Sequence, residues 1–333
     1  MSTDVFHNAP FLENQLMFKN ANVLVTGGAG FVGVNLIKRL LDLGAVVTAT
    51  LHDKAPVLTD DRIRYLRADL RHQEDCATVV QGADYVFMCA ANTSGAAVMT
   101  KSPLTHLTPN VLMNVSMLDA AYHAGVKKFL FISSNVVYPL TDHPVKEDEV
   151  TNEFYETYFI SAWMKRFTEV VCEMYATKIA KPMKVCVVRP ANIYGEFDDF
   201  EWETSHVIPA LIRKVVERQD PLVVWGNGND LKEFIYVQDF IDGMLLAMEK
   251  QESFDPINIA LGKPCTVREV LQSLLKIDGY DNANVVYDLT KPSMIPKRLI
   301  DVSKAKGQLG FQASTSIHDG LAKTVHWYRS TLS

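Results

Sequence analysis

Val23-Leu-Val-Thr-Gly-Gly-Ala-Gly-Phe-Val-Gly33 is the stretch from which the rest of the chain can be read. Val23 to Val25 is a short apolar run of the kind that forms a buried strand. Glycines follow at 27, 30 and 33, and a helical pattern starts at once with Val34, Leu36, Ile37, Leu40 and Leu41. Gly27 permits a tight strand-to-helix turn, Gly30 lets backbone approach a pyrophosphate, and Gly33 lets the helix pack close to the strand. Phe31 and Val32 open the helix, whose free N–H groups and positive dipole end suit phosphate oxygens. A bare three-glycine turn would be weak evidence. With a strand before it and a helix after it, the segment predicts a dinucleotide site.

Working outward, apolar strand-like runs alternate with helical patterns. Strands are expected at 46–51, 63–66, 85–90, 128–133 and 184–188. Long helices are expected near 104–124, closed by Gly125, and near 158–180. This alternation predicts an α/β fold, a Rossmann-type doubly wound parallel sheet. Residues 1–20 read as an N-terminal extension and 21–189 as the dinucleotide-binding domain, to which the chain returns near 234–260. Residues 190–233 and 261–330 read as a smaller C-terminal substrate domain over the carboxyl ends of the strands.

The composition of the 333 residues, 48% hydrophobic and 22% charged, is that of a globular protein. A net charge of −6 with scattered Lys and Arg argues against a nucleic-acid partner. There is no apolar leader and no run of about 18 apolar residues, so neither secretion nor a membrane span is expected. The five cysteines are odd in number and form no Cys-x-x-Cys pair, which suits a reducing, cytoplasmic setting without a metal site.

The ordered motifs carry a resemblance over residues 22–330. They are Thr26–Gly33, Asp69-Leu70, Ala90-Ala91, Asn110-Val111, Ser133-Ser134 before Val137-Tyr138, and Lys165 with Glu169. They continue with Arg189-Pro-Ala-Asn-Ile-Tyr-Gly195, Trp225-Gly-Asn-Gly228, Glu233-Phe-Ile-Tyr-Val237, Asp239 and Asp301-Val-Ser-Lys. On these, the chain resembles extended short-chain dehydrogenases/reductases of the NAD-dependent epimerase/dehydratase family. Ser205-His-Val-Ile-Pro-Ala-Leu211 is similar to GDP-fucose synthase-like nucleotide-sugar enzymes. The resemblance implies hydride transfer at C4 of a GDP-linked sugar, or 4-epimerisation with tightly held NAD. It also implies a homodimer formed through the two long helices. Met113, Met117, Trp163, Phe167 and Val170 suit core or interface equally.

In such enzymes a tyrosine handles the hydroxyl proton, and a lysine four residues on lowers the tyrosine's pKa and holds the nicotinamide ribose. A serine binds the same sugar oxygen. Positions i and i+4 share one helix face. Ser134 and Lys165 fit the serine and lysine, and His206 fits a histidine flanking the sugar. The tyrosine is missing: Ser161 stands four residues before Lys165. Tyr158 is seven residues before it, about 10 Å along a regular helix. The chain is therefore a diverged enzyme using Ser161, Tyr158 or water, a variant whose tyrosine was removed, or a nucleotide-binding protein without catalysis. Val136 stands where an epimerising cysteine would be, which disfavours C3/C5 epimerisation.

An NAD site places an acid at the end of the second strand. Leu51 stands there, followed by His52-Asp53-Lys54, so His52 and Lys54 shift the expectation from NAD toward NADP. By resemblance Asp69 and Leu70 contact adenine, and Ala90 and Ala91 line the cofactor. Thr93, Ser134, Asn192, His206, Lys232 and Arg298 are the candidate substrate contacts, with Asn192 and Arg298 on the diphosphate. Trp225 is expected to pack the smaller domain or to border the sugar's base.

Overall fold

The computed structural model describes residues 16–92, 102, 104–291 and 295–332. Seven parallel strands form the central sheet: β1 (Asn22–Val25), β2 (Val46–Leu51), β3 (Ile63–Arg67), β4 (Tyr85–Met88), β5 (Lys128–Ile132), β6 (Lys184–Pro190) and β11 (Ile257–Ile259). Their spatial order is β11-β6-β5-β4-β1-β2-β3, with the order reversing on either side of β1. All seven run the same way, so their carboxyl ends share one edge, where open sheets of this kind bind ligands.

The inner strands carry apolar side chains on both faces, alternating between two cores, while β3 at the edge bears the exposed Arg64 and Arg67. Val23, Val25, Phe87 and Leu130 join one core with Leu36 and Ile37 of α1 (Phe31–Asp42). Leu24, Val86 and Phe129 join the other. Its helical side comes from α2 (Gln73–Val79), α3 (Leu104–His123) and α4 (Phe159–Thr177). Gly125 closes α3 with φ +72°, and Val126 N–H donates to the Ala121 carbonyl. Phe18, within the expected N-terminal extension, is fully buried against Tyr85 and Phe87. That extension thus reaches the core at its inner end.

Three small sheets and more helices sit beyond β6. The sheets pair β7 (Asn192–Tyr194) with β10 (Phe234–Tyr236), β8 (Leu222–Trp225) with β13 (Val285–Asp288), and β9 (Leu231–Lys232) with β12 (Cys265–Thr266). The helix α5 (Val207–Val216) precedes β8, and α6 (Val237–Lys250) returns the chain to the main sheet before β11. Among the described residues no helix is long and apolar enough to cross a membrane.

Candidate functional site

The glycine turn joins β1 to α1 without slack. Gly27 has φ +71°, and a Cβ there would lie 2.8 Å from the Ala90 Cα. A Cβ on Gly33 would lie 2.2 Å from the Gly27 carbonyl oxygen. Thr26 Oγ1 accepts from the N–H groups of Cys89 and Ala90, tying the β1 end to the β4 end. The α1 N-terminus has no side-chain cap and no acidic residue in its first turn, so its N–H groups face an anion unopposed. This cradle fits a dinucleotide pyrophosphate.

At the adenosine end Leu51 is buried, and no carboxylate replaces it on β2. His52 Nδ1 lies 2.9 Å from Asp53 Oδ2, and Lys54 is exposed. Arg71 binds Asp69 with both Nε and Nη2, so this carboxylate is already occupied and held well below its ordinary pKa by that hydrogen bond. Arg67 Nη1 donates to the His52 carbonyl at 2.7 Å. Leu70 is buried, Ala90 half-buried and Ala91 exposed. Arg67 and Arg71, four residues apart at the end of β3, were legible as cations but not as neighbours of His52.

Lys165 lies on α4, facing β5. Its Nζ donates to the Ile132 carbonyl at 2.7 Å and stands 5.0 Å from the Phe131 ring centroid. Burial pulls its pKa down to about 8, and Glu169 opposes part of that shift. The two serines after Ile132 divide. Ser133 is buried and donates to Glu169 at 2.5 Å. Ser134 is half-buried; among the described residues its Oγ accepts only the Val136 N–H, at 3.3 Å, and its hydroxyl proton has no acceptor.

The Ser161 hydroxyl donates to the Tyr158 carbonyl at 3.0 Å, within its own helix. Tyr158 sits at the helix start. Burial lifts its pKa to about 12, and Asp230, beside β9, adds to the rise. Asn192 is exposed, and its Nδ2 donates to the Glu233 carbonyl. His206 precedes the first turn of α5. Burial lowers its pKa; Asp199 acts against that and His106 with it. Thr93 lies outside the described residues.

Arg298 and Lys232 form the cationic side of the crevice. Arg298 is buried and donates to the carbonyls of Pro139 and Tyr138 at 2.7 and 3.1 Å. Its Nε is buried without a partner, and burial lowers its pKa to about 10. Lys232 donates to the Ile295 carbonyl and lies 3.4 Å from Asp230; burial, with Arg298 nearby, lowers its pKa. The buried Arg298, with no carboxylate partner among the described residues, and the half-buried Lys232, paired with Asp230, leave positive charge for an anionic ligand. Trp225, expected to pack the smaller domain, is instead exposed at the end of β8, with Lys291 Nζ 5.4 Å from its ring centroid.

Three enclosed titratable groups have environments that the sequence does not reveal, and of these only Glu233 falls in a quoted motif. His106 on α3 has a buried Nε2 without a partner. Burial raises Asp198 to about 8 and Glu233 to about 7. The one signal in the sequence was that His106 stands four residues before Asn110, on the same helix face.

The model of the NAD dependent epimerase/dehydratase family matches residues 23–260. GDP-L-fucose synthase of Escherichia coli K12 is 31% identical, over 92% of this chain and 96% of that protein. GDP-L-fucose synthase 1 of Arabidopsis thaliana is 30% identical, over 93% of this chain and 94% of that protein. The structure of a UDP-glucose 4-epimerase from Thermotoga maritima with UDP-glucose superposes with a TM-score of 0.84 at 28% identity, covering 94% of this chain and all of that one. On the glycine turn, the seven-stranded sheet and these matches, the chain belongs to the NAD dependent epimerase/dehydratase family.

Proposed function

We propose that this protein is an NAD(P)-dependent oxidoreductase or epimerase acting at C4 of a GDP-linked sugar. The observation that carries it is Arg298: a buried guanidinium with no carboxylate, paired with Lys232, at the carboxyl edge that also holds the uncapped glycine turn. A nucleotide diphosphate supplies the missing negative charge, and a planar guanidinium suits its oxygens. Asn192 and His206 complete this side. Ser134, with its free hydroxyl proton, binds the reacting sugar oxygen. Lys165 holds the nicotinamide ribose. The nicotinamide supplies or takes the hydride when bound; the chain positions, shields and handles protons.

The fucose synthases among the relatives favour net reduction of a 4-keto sugar. The 4-epimerase likeness favours the second reading, transient oxidation with tightly held NAD. No observation favours a catalytically silent protein. NADPH oxidation on a 4-keto GDP-sugar tests the first. Non-exchanging NAD(H) in the purified protein would replace it with the second. Turnover of no nucleotide sugar would overturn both. His52, Lys54, Arg67 and Arg71, around a β2 end without an acid, support NADP over NAD. A ratio of dissociation constants near unity would remove that preference.

The homodimer belongs to the same reading. Phe159, Trp163, Phe167 and Met174 form an exposed apolar row on α4, and Leu104 and Leu112 are exposed on α3. A row at spacings of four and seven marks one exposed helix face, against whose start Phe154 packs. Light scattering tests it: the parent should have twice the chain mass, and Trp163→Glu should halve it.

A further inference from the structure

We propose that His106 is a second proton-carrying side chain of the crevice, besides His206, in the role left open by the absent tyrosine. The inference rests on the function proposed above. α3 runs back across the sheet, so its first turns lie over the carboxyl edge. Asn110 fixes the start of this helix: its Nδ2 donates to the His106 carbonyl at 2.7 Å and the Asn92 carbonyl at 2.9 Å, and its Oδ1 accepts the Asn92 N–H at 2.8 Å. Asn92 follows Ala90 and Ala91, so His106 is referenced to the strand end that floors the glycine turn. The ring is 5% exposed and its Nε2 has no partner. A buried imidazole nitrogen left unpaired is unfavourable unless a ligand meets it.

The two alternatives on α4 are less suited. The Ser161 hydroxyl is bound to its own helix, and Tyr158 is a far weaker base at neutral pH than an imidazole. Burial outweighs the favourable Asn92 backbone and keeps His106 neutral, with a basic nitrogen free to accept a proton. The charge of His106 is felt at His206, the residue before α5. His106 on α3 and His206 before α5, each with its pKa lowered by burial, thus share one electrostatic neighbourhood. In the assigned step the sugar O–H bond breaks and an Nε2–H bond forms. The electron pair left on oxygen becomes the second bond of the ketone, and the carbon's hydride goes to an oxidised nicotinamide dinucleotide. Reduction runs the same proton in reverse.

The test uses the full chain and its His106→Gln and His106→Asn variants. In the parent, the His106 ring resonances, assigned by their loss in His106→Gln, should shift on saturation with a GDP-hexose and not with GDP. The variants should lose about 100-fold or more in kcat, keep KM within a few-fold, and regain activity with free imidazole. A GDP-hexose that binds without moving the ring signal overturns the assignment and leaves the proposed function standing. So does a folded variant with parental kcat. Failure of the parent to bind any nucleotide sugar overturns the function, and His106 with it.

Discussion

Two buried arginines grip the same tyrosine and differ in everything else. Arg189, on β6, donates to the Tyr138 hydroxyl and binds Glu169 with Nε and Nη2, each at 2.8 Å. Burial acts against its charge, and Glu169 more than restores it, so its pKa rises. Arg298 donates to the Tyr138 backbone carbonyl, has no carboxylate and carries an unpaired Nε, so its pKa falls. A buried charge with its counter-ion is part of the framework; one without is waiting for a ligand. Structural and functional charge thus stand side by side within one strand-end cluster.

The largest expected effect breaks the framework side. Glu169→Ala leaves Arg189 uncompensated and should cost about 3–5 kcal/mol in chemical denaturation. Replacing both Glu169 and Arg189 by Met should cost less than the two single changes summed. Arg298→Met should behave in the opposite way, changing stability by about 1 kcal/mol or less. Its GDP-sugar affinity should fall by about 2–4 kcal/mol, roughly 30- to 1000-fold in Kd. If it unfolds the protein as Glu169→Ala does, the distinction between the two arginines collapses.

Glu233 offers an acidic counterpart. It is 2% exposed with Oε2 unpaired, and burial lifts it to about 7. Its folded pKa lies above its ordinary value of 4.5, so the native state holds a proton that the unfolded chain has released. Stability should therefore decline as pH rises from about 4.5 to about 7. Glu233→Gln should remove that slope and stabilise the protein above pH 7 by about 1–3 kcal/mol in thermal or urea unfolding.

The smallest effect concerns Lys165, whose charge is offset only in part. Below its pKa of about 8 the ammonium can hold the dinucleotide; above it the charge is lost. Dinucleotide affinity should weaken about tenfold between pH 7 and 9. Lys165→Arg, which stays charged, should show no such decline.

Much of the fold was legible because its strands are continuous apolar runs and its turns carry glycines with steric reasons to be there. β11 was harder to delimit: three residues after a polar stretch become a strand only by pairing with β6. Ser134 and Lys165 announced themselves by spacing, and both lie at the β5 end. The division between Ser133 and Ser134 did not appear in the sequence, because it depends on Glu169 reaching one and not the other. Arg189 and Arg298 were likewise indistinguishable as letters. What separates them is the presence of a carboxylate from a distant helix, a tertiary fact with no local signature.

The Glu169–Arg189–Tyr138 cluster ends on Asn258, which accepts the Tyr138 hydroxyl at 2.6 Å and lies on the last strand added to the sheet. A nascent chain must therefore expose some 260 residues before this cluster acquires its final hydrogen bond. Pairing over such separations is slow. During synthesis the edge of β6 stays open until β11 pairs with it. A fragment cut after β6 would carry the glycine turn, Ser134 and Lys165 and still lack the strand that completes its sheet.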